Sequence, residues 1–455
     1  MEQTIRKETT LDKLMDVLEQ IRYENMPEEV IAHADLCMAD FMGILCGSTE
    51  KEMSVRLRRA LTVERMKDPE ELAMWMASSA RMLDLDDGHR YAMAHPGVVI
   101  NAAAAAMLTA GGCGGVSGKT LIEALVTGYE VYCFQGRVIN PGAYLKRGID
   151  ATSVCGAAAA AATASVLMGL DRKQTADAIS LAAALAGGLN QSAIDGSAQK
   201  YLVAGAGAKL GIMSARLAKE GLGGPAQVYE GKLGYANAFT PEADKELLEN
   251  PKLNWDIRNV YLKIHACVRR IHATLDAVKN IVGTNGLKEK DLVSIEVGGG
   301  PFLCDAAKYR PQDMAQAQTS VPYTVAILLR YGCVEDDLVE KQLNNEEIHR
   351  LSVKVTVVPD AEIEELGRKD KSLWGAARVT VHTADGRTFS EVKPIPDGDR
   401  ESPFREEILK EKFVSHSAAV LGREYAEQCW EQFMKMDLEE RPGDRLGEIL
   451  RKAAS

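Results

Sequence analysis

DLDDGHRYAMAHPG, residues 84–97, gathers Asp84, Asp86, Asp87, His89 and His95 directly before an apolar run. Titratable side chains are costly to bury without partners, so a cluster like this has few physical meanings. A zinc or iron site from Asp84, His89 and His95 is compatible with the residue types, although no pair has the spacing of one helix face. A calcium loop is not compatible. Its glycine falls at loop position five instead of six, and His95 stands where a bidentate glutamate belongs. Two other readings stand side by side. The segment is a solvated turn whose aspartates cap the next helix, or an acid–base cluster in which an aspartate orients a histidine that moves protons.

Cations elsewhere bear on that choice. "GSAQKYLVAGAGAKLGIMSARLAKEG" puts Lys200 just before a glycine–alanine strip built for close packing. "YLKIHACVRRIHATLDA" collects Lys263, His265, Arg269, Arg270 and His272. In a chain of net charge −11, such a group reads as a carboxylate-binding pocket, with a solvated basic helix face as its rival. "GGCGGVSGKT" lacks the first glycine of a phosphate loop and follows an alanine-rich helix instead of a strand, which excludes nucleotide binding.

The acidic balance argues against nucleic acid or an anionic membrane as partner. The nine cysteines are scattered, with no CxxC pair, so neither a disulfide framework nor a zinc or iron–sulfur site is suggested. Reduced thiols fit a cytoplasmic chain, and MEQTIRKETTLDKL has no signal-peptide core. "SVCGAAAAAATASVLMGL" is alanine-rich and reads as a packed helix of a soluble protein, not a membrane span.

These residues need elements to hold them. At 455 residues two domains are the natural expectation. Residues 1–265 read as helix after helix: one opening at Pro27 with Val30, Ala34, Cys37, Phe41 and Ile44 on one face, one capped by Ser117, and one over "DRKQTADAISLAAALAGGL". "LVSIEVGG" (292–299) and "LSVKVTVVPD" (351–360) read as strands, with a helix from Val321 between them. "WGAARVTVHTADGRTFSEVKP" reads as a hairpin turning at Asp385-Gly386. After residue 398 the helical pattern returns. The fold class predicted is mainly α: a large all-α domain built from residues 1–265 and 399–455, with a smaller α+β domain inserted at 266–398. A cleft between them is the default ligand site.

In order and spacing, DLDDGHRYAMAHPG, "RGIDATSVCGAAAAAATASVLMGLD", "QKYLVAGAGAKLGIMSARLAKEGLGG", "LKIHACVRRIHATLDA", "AQAQTSVPYTVA" and "DGRTFSEVKPIPDGDRESP" resemble the MmgE/PrpD family over nearly the whole chain. That family includes 2-methylcitrate dehydratase, cis-aconitate decarboxylase and an iminodisuccinate epimerase. The resemblance implies a helical domain with an α+β lid, a homodimer, and chemistry without metal or organic cofactor. It implies functional roles for Asp84 and His95, for pocket lysines at Lys200 and Lys263, for a lid tyrosine at Tyr323, and for Arg269 and His272. Two positions depart from the family's pattern: Asp150 in "GIDATS" and Val203 in "KYLVAG" stand where relatives carry histidine.

The chemistry implied is proton transfer beside a carboxylate, which needs a placed base and cations where negative charge develops. We expect His95, oriented by Asp84, as base or acid, with Tyr323 or Asp150 handling the opposite proton. Lys200, Lys263, Arg269, His272 and His89 are expected to bind the substrate. Dehydration of a hydroxy-di- or tricarboxylate is the first reading, epimerisation of a dicarboxylate the second and decarboxylation the third. A silent binding protein of the same fold is the non-enzymatic alternative.

Overall fold

The computed structural model describes residues 8–62, 67–192 and 196–454, and its architecture is mainly helical. Glu28–Ser48 (α1) follows Pro27 and carries Val30, Ala34, Cys37, Phe41 and Ile44 into the core. Pro69–Arg81 (α2) is capped by Asp68, whose carboxylate accepts the N–H groups of Glu70 and Glu71. Gly97–Thr109 (α3) comes next, then Gly118–Ile139 (α4), where Ser117 accepts the Thr120 N–H. Asp150 caps Ala151–Leu167 (α5), and Asp171 with Gln174 forms a capping box on Arg172–Leu185 (α6). These side chains supply acceptors to N–H groups that have no partner within the helix.

Small residues set the spacing. α3 and α5 are alanine-rich and buried on nearly all faces, as suits helices at a centre. Gln199–Lys219 (α7) lies across both α5 and α2. At Gly211 a Cβ would come within 2.4 Å of the Ala160 Cβ and 2.5 Å of the Ala157 carbonyl oxygen, so only glycine permits this approach. The contact draws the N-terminal end of α7, with Lys200, toward the end of α2 at Arg81 and the start of α5 at Asp150.

The segment from about 260 onward is different in kind. Gly88–His89 (β1) pairs antiparallel with Val260–Tyr261 (β2), tying the 82–96 loop to the approach to Lys263. Four strands form one sheet: Leu292–Gly299 (β3), Val355–Pro359 (β4), Ala377–Thr383 (β5) and Thr388–Lys393 (β6). Their order is β4-β3-β5-β6, with β3 and β4 parallel and the other pairs antiparallel. The β5–β6 hairpin turns through Asp385 and Gly386, the latter at φ +84°. His272–Thr284 (α8) and Val321–Tyr331 (α9) pack with this sheet. One expected strand is shorter than its pattern: Leu351 and Ser352 end the helix Glu346–Ser352, capped by Asn345, so extended backbone begins only at Val355.

Glu406–Leu421 (α10), Arg423–Phe433 (α11) and Pro442–Ala454 (α12) complete the chain. α1 is long and apolar enough to cross a membrane by length and composition, yet 72% of its most apolar window is buried inside the fold, where it packs on α10. Buried apolar side chains divide into two clusters. One runs from Leu11 to Ala266 and resumes at Leu409, and the other runs from Cys267 to Val381. We call the regions around them the helical module and the smaller module.

Candidate active site

Both modules contribute to a cavity of about 250 Å³. Arg81, Arg90, Lys200, Arg269, Arg270, Lys308 and Lys371 line it, against Asp150 and Asp399. In a chain carrying a net −11, this concentration of positive charge is local and suited to an anionic ligand. His89, His95 and Tyr261 also line it.

The floor is the 82–96 loop. The chain leaves α2 and reverses at Asp84, whose φ of +52° is a left-handed conformation that aspartate tolerates better than most residues. The Asp84 carboxylate is fully buried. Its Oδ1 accepts from Lys263 Nζ at 2.7 Å and Arg81 Nη1 at 3.1 Å, and its Oδ2 from Lys200 Nζ at 3.0 Å. Asp86 accepts from the same Arg81 Nη1 at 3.0 Å. Burial alone would raise both carboxyls. For Asp84 the charges of Lys200, Lys263 and Arg81 reverse this, and for Asp86 those of Arg81 and Lys263 together with the hydrogen bond from His95, so both are held below the usual carboxylate range. Gln318 of the smaller module closes the network: its Oε1 accepts from Lys200 at 2.7 Å while its Nε2 donates to the Met82 carbonyl at 3.1 Å.

His95 stands above this network. Its Nδ1 lies 2.8 Å from the Asp87 carbonyl oxygen and 3.1 Å from Asp86 Oδ2. Both neighbours are acceptors, which assigns the proton of the neutral ring to Nδ1 and leaves the lone pair on Nε2. Burial first, and then the charge of Arg81, pushes His95 below the ordinary histidine value. The neutral ring is therefore the resting form at neutral pH. Asp87 turns the other way. Its carboxylate accepts the Tyr129 hydroxyl and the Gly97 N–H at the start of α3, each at 2.8 Å. No cation among the described residues contacts it, and burial lifts it to about 7. The solvated turn is not what forms, since Asp84, Asp86 and Asp87 are all buried; Asp87 serves the first N–H of α3, while Asp84 and Asp86 underlie the cavity.

Several expected positions are corrected. Asp86 and the Asp87 carbonyl, not Asp84, contact His95; the left-handed turn at Asp84 commits that side chain to the lysines. Lys263 is fully buried and spends its charge on Asp84, so it sits behind the wall and does not line it. Tyr323 fills the core of the smaller module, where burial obliges its hydroxyl to donate to the Val339 carbonyl at 2.8 Å; it does not line the cavity. His272 is buried too, with Nε2 at 3.1 Å from the Cys267 carbonyl and Nδ1 at 3.3 Å from Arg269 Nη1. Burial and the Arg269 charge keep it neutral, so it positions Arg269 instead of meeting a ligand. Arg269 itself is heavily engaged, donating to the carbonyls of Asp397 and Pro396 and to the Asp399 carboxylate.

His89 lines the cavity but offers it no nitrogen, because Nδ1 accepts the Ala92 N–H at 3.1 Å and Nε2 faces Asp256 at 3.6 Å. The ligating atoms of Asp84, His89 and His95 do not converge. His89 instead meets Cys133 and Asp256 within 4.8 Å, and Arg137 engages both oxygens of that aspartate, so its charge is already matched. Asp150 is on the cavity wall, capping α5 through the Thr152 N–H at 2.9 Å. Arg81, Gln318 and Lys308 are not singled out by the sequence, and Asp86 and Arg270 stand out there only as members of clusters. Arg81, three residues before Asp84, carried the one available signal.

Comparison with known proteins gives a consistent result. The MmgE/PrpD N-terminal domain matches residues 12–248 and the MmgE/PrpD C-terminal domain residues 265–437. A cis-aconitate decarboxylase-like protein of Aspergillus oryzae is 26% identical over 448 residues, covering 90% of this chain and 91% of its own. The cis-aconitate decarboxylase of Homo sapiens is 27% identical over 320 residues, 67% of this chain and 64% of that one. The mitochondrial 2-methylcitrate dehydratase of Yarrowia lipolytica is 27% identical over 315 residues, 66% of this chain and 59% of that one.

Proposed function

The chain belongs to the MmgE/PrpD family, and from that premise we propose that it is a lyase that removes water from a hydroxy-di- or tricarboxylate. The observation that carries this reading is a neutral His95, its Nε2 lone pair uncommitted, on the wall of a cavity rich in cations. A hydrogen beside a carboxylate is weakly acidic, and its removal needs a base and nearby positive charge.

His95 Nε2 takes the proton from the carbon beside a substrate carboxylate. The electron pair of that C–H bond forms the new C=C bond as the C–O bond at the neighbouring carbon breaks. Lys200 gives a proton to the departing hydroxide, which leaves as water. Its Nζ already donates to Asp84 and Gln318, so one of its three protons remains for the substrate. The imidazolium formed on His95 is stabilised by the ionised Asp86 beside Nδ1.

A second reading, loss of carbon dioxide from an unsaturated tricarboxylate, is favoured by the decarboxylase relatives; Lys200 would then protonate the carbon that lost it. The test is a panel of hydroxy- and unsaturated di- and tricarboxylates, followed by alkene absorbance and by carbon dioxide release. We expect alkene formation from a hydroxy acid, lowered about 100- to 10,000-fold by His95→Ala. Near-normal turnover of His95→Ala would remove His95 from the mechanism. Carbon dioxide release without alkene formation would favour the second reading.

A further inference from the structure

The cations of the cavity are not alike in what holds them. Arg81 and Lys200 share Asp84, Arg90 meets Glu401 and Arg269 meets Asp399. Arg270, Lys308 and Lys371 have no such partner among the described residues; Lys371 is exposed, whereas Arg270 and Lys308 are half-buried. Arg270 Nη1 donates to the Phe302 carbonyl at 3.1 Å, and its guanidinium lies 4.9 Å from the Phe302 ring centre. Its Nε is buried without a hydrogen-bond partner. Lys308 Nζ donates to the Thr319 hydroxyl at 3.2 Å. Asp305 and Asp313 act on them only from beyond ion-pair distance.

The two line the same cavity. Burial first, and then the charges of Arg270 and Lys200, push Lys308 below the usual lysine range, and burial lowers Arg270 as well. Keeping two half-buried cations on one cavity without a counter-charge is unfavourable. The arrangement is relieved when an anion arrives to accept from both. A guanidinium fork and a lysine lining one cavity suit a carboxylate, with two parallel N–H donors from the arginine and a point charge from the lysine.

We propose that Arg270 and Lys308 form a subsite for a substrate anionic group remote from the reacting carbon, so that this protein prefers a tricarboxylate to the dicarboxylate lacking that group. The proposal rests on the carboxylate-lyase reading for its substrate class, but it concerns binding and is tested by binding. Phosphate could engage the same donors, so phosphate is included in the test.

Calorimetric titration of the full chain with tricarballylate, glutarate and inorganic phosphate provides that test, because none of these can lose water. Tricarballylate should bind at least about tenfold more tightly than glutarate. Arg270→Gln and Lys308→Gln should each weaken tricarballylate about tenfold to a hundredfold, with glutarate changed by about twofold or less. Arg270→Lys should recover part of the loss. Should Arg270→Gln fail to fold, Lys308→Gln carries the test, since Lys308 is half-buried and holds one hydroxyl. Equal affinity for the two acids, equal weakening of both by the substitutions, or phosphate matching tricarballylate in an Arg270-dependent way would each overturn the proposal. Discrimination without turnover of any hydroxy acid would sink the lyase reading and leave the subsite standing. Turnover without discrimination would do the reverse.

Discussion

The two walls of the cavity use positive charge in opposite ways. On the helical side, Arg81, Lys200 and the buried Lys263 converge on Asp84 and Asp86, and the charge is largely matched within the protein. On the smaller module's side Arg269 is held by Asp399, but Arg270 and Lys308 face the cavity with, among the described residues, carbonyl and hydroxyl partners only. Matched charge fixes geometry before a ligand comes, which is what a proton-transfer group such as His95 requires. Unmatched charge leaves attraction to be satisfied by the ligand. One wall is organised for chemistry and the other for affinity.

That contrast can be broken most severely at Asp84. Asp84→Ala leaves Lys200, Lys263 and Arg81 buried or nearly so around a single remaining carboxylate. We expect a loss of about 3–5 kcal/mol in denaturant unfolding. A loss below about 1 kcal/mol would mean that the network is solvated and the contrast illusory.

Asp86→Asn comes next. Removing the anion beside His95 Nδ1 costs the imidazolium a charge-assisted contact, so kcat should fall about 10- to 100-fold. Asp86 raises the His95 value, so without it the acid limb of kcat/KM should move to lower pH. A limb that stays in place would dissociate Asp86 from the base.

On the other wall the sign reverses. Arg270→Met replaces an unpaired cation with an apolar chain of similar length, and we expect stability unchanged or raised by about 1 kcal/mol. A loss as large as that of Asp84→Ala would erase the difference between the walls.

The smallest effect is a change of slope at Asp87. Its carboxyl is raised from 3.8 to about 7, so between those values the folded chain keeps a proton that the unfolded chain has released. Its contribution to stability is full below about 3.8 and is lost as pH rises toward 7. Asp84 and Asp86, held below the usual range, contribute in the opposite sense, and their part is lost on acidification. Asp87→Asn should flatten the decline between pH 4 and 7 in melting curves, while a curve unchanged in that window would show that Asp87 ionises freely.

What sequence could show was mostly local. Ser117, Asp171 and the Asp385–Gly386 turn act on residues within a few positions, and their structural roles follow from side-chain chemistry alone. The polar cluster before α3 was legible as a place of partnered titratable groups. Which aspartate serves which partner was not. That is settled by one left-handed residue and by Lys263, which arrives from 179 positions away. Tyr323 shows the same limit from the other side: nothing in "SVPYTVA" says whether a tyrosine hydroxyl meets a ligand or a carbonyl in a core. Lys308 sits in a stretch without periodicity, and only the folded chain brings it to the cavity that Arg270 also lines.

Gly211 carries a consequence far from its own surroundings. It lies eleven residues along α7 from Lys200, about 16 Å of helix axis, and touches no part of the cavity wall. Because a single methyl there would collide with Ala160, it acts as the fulcrum of a stiff rod whose far tip is an ammonium group. Lifting the rod at that point tilts the tip, so the aim of Lys200 is governed by a position that no inspection of the cavity would reveal.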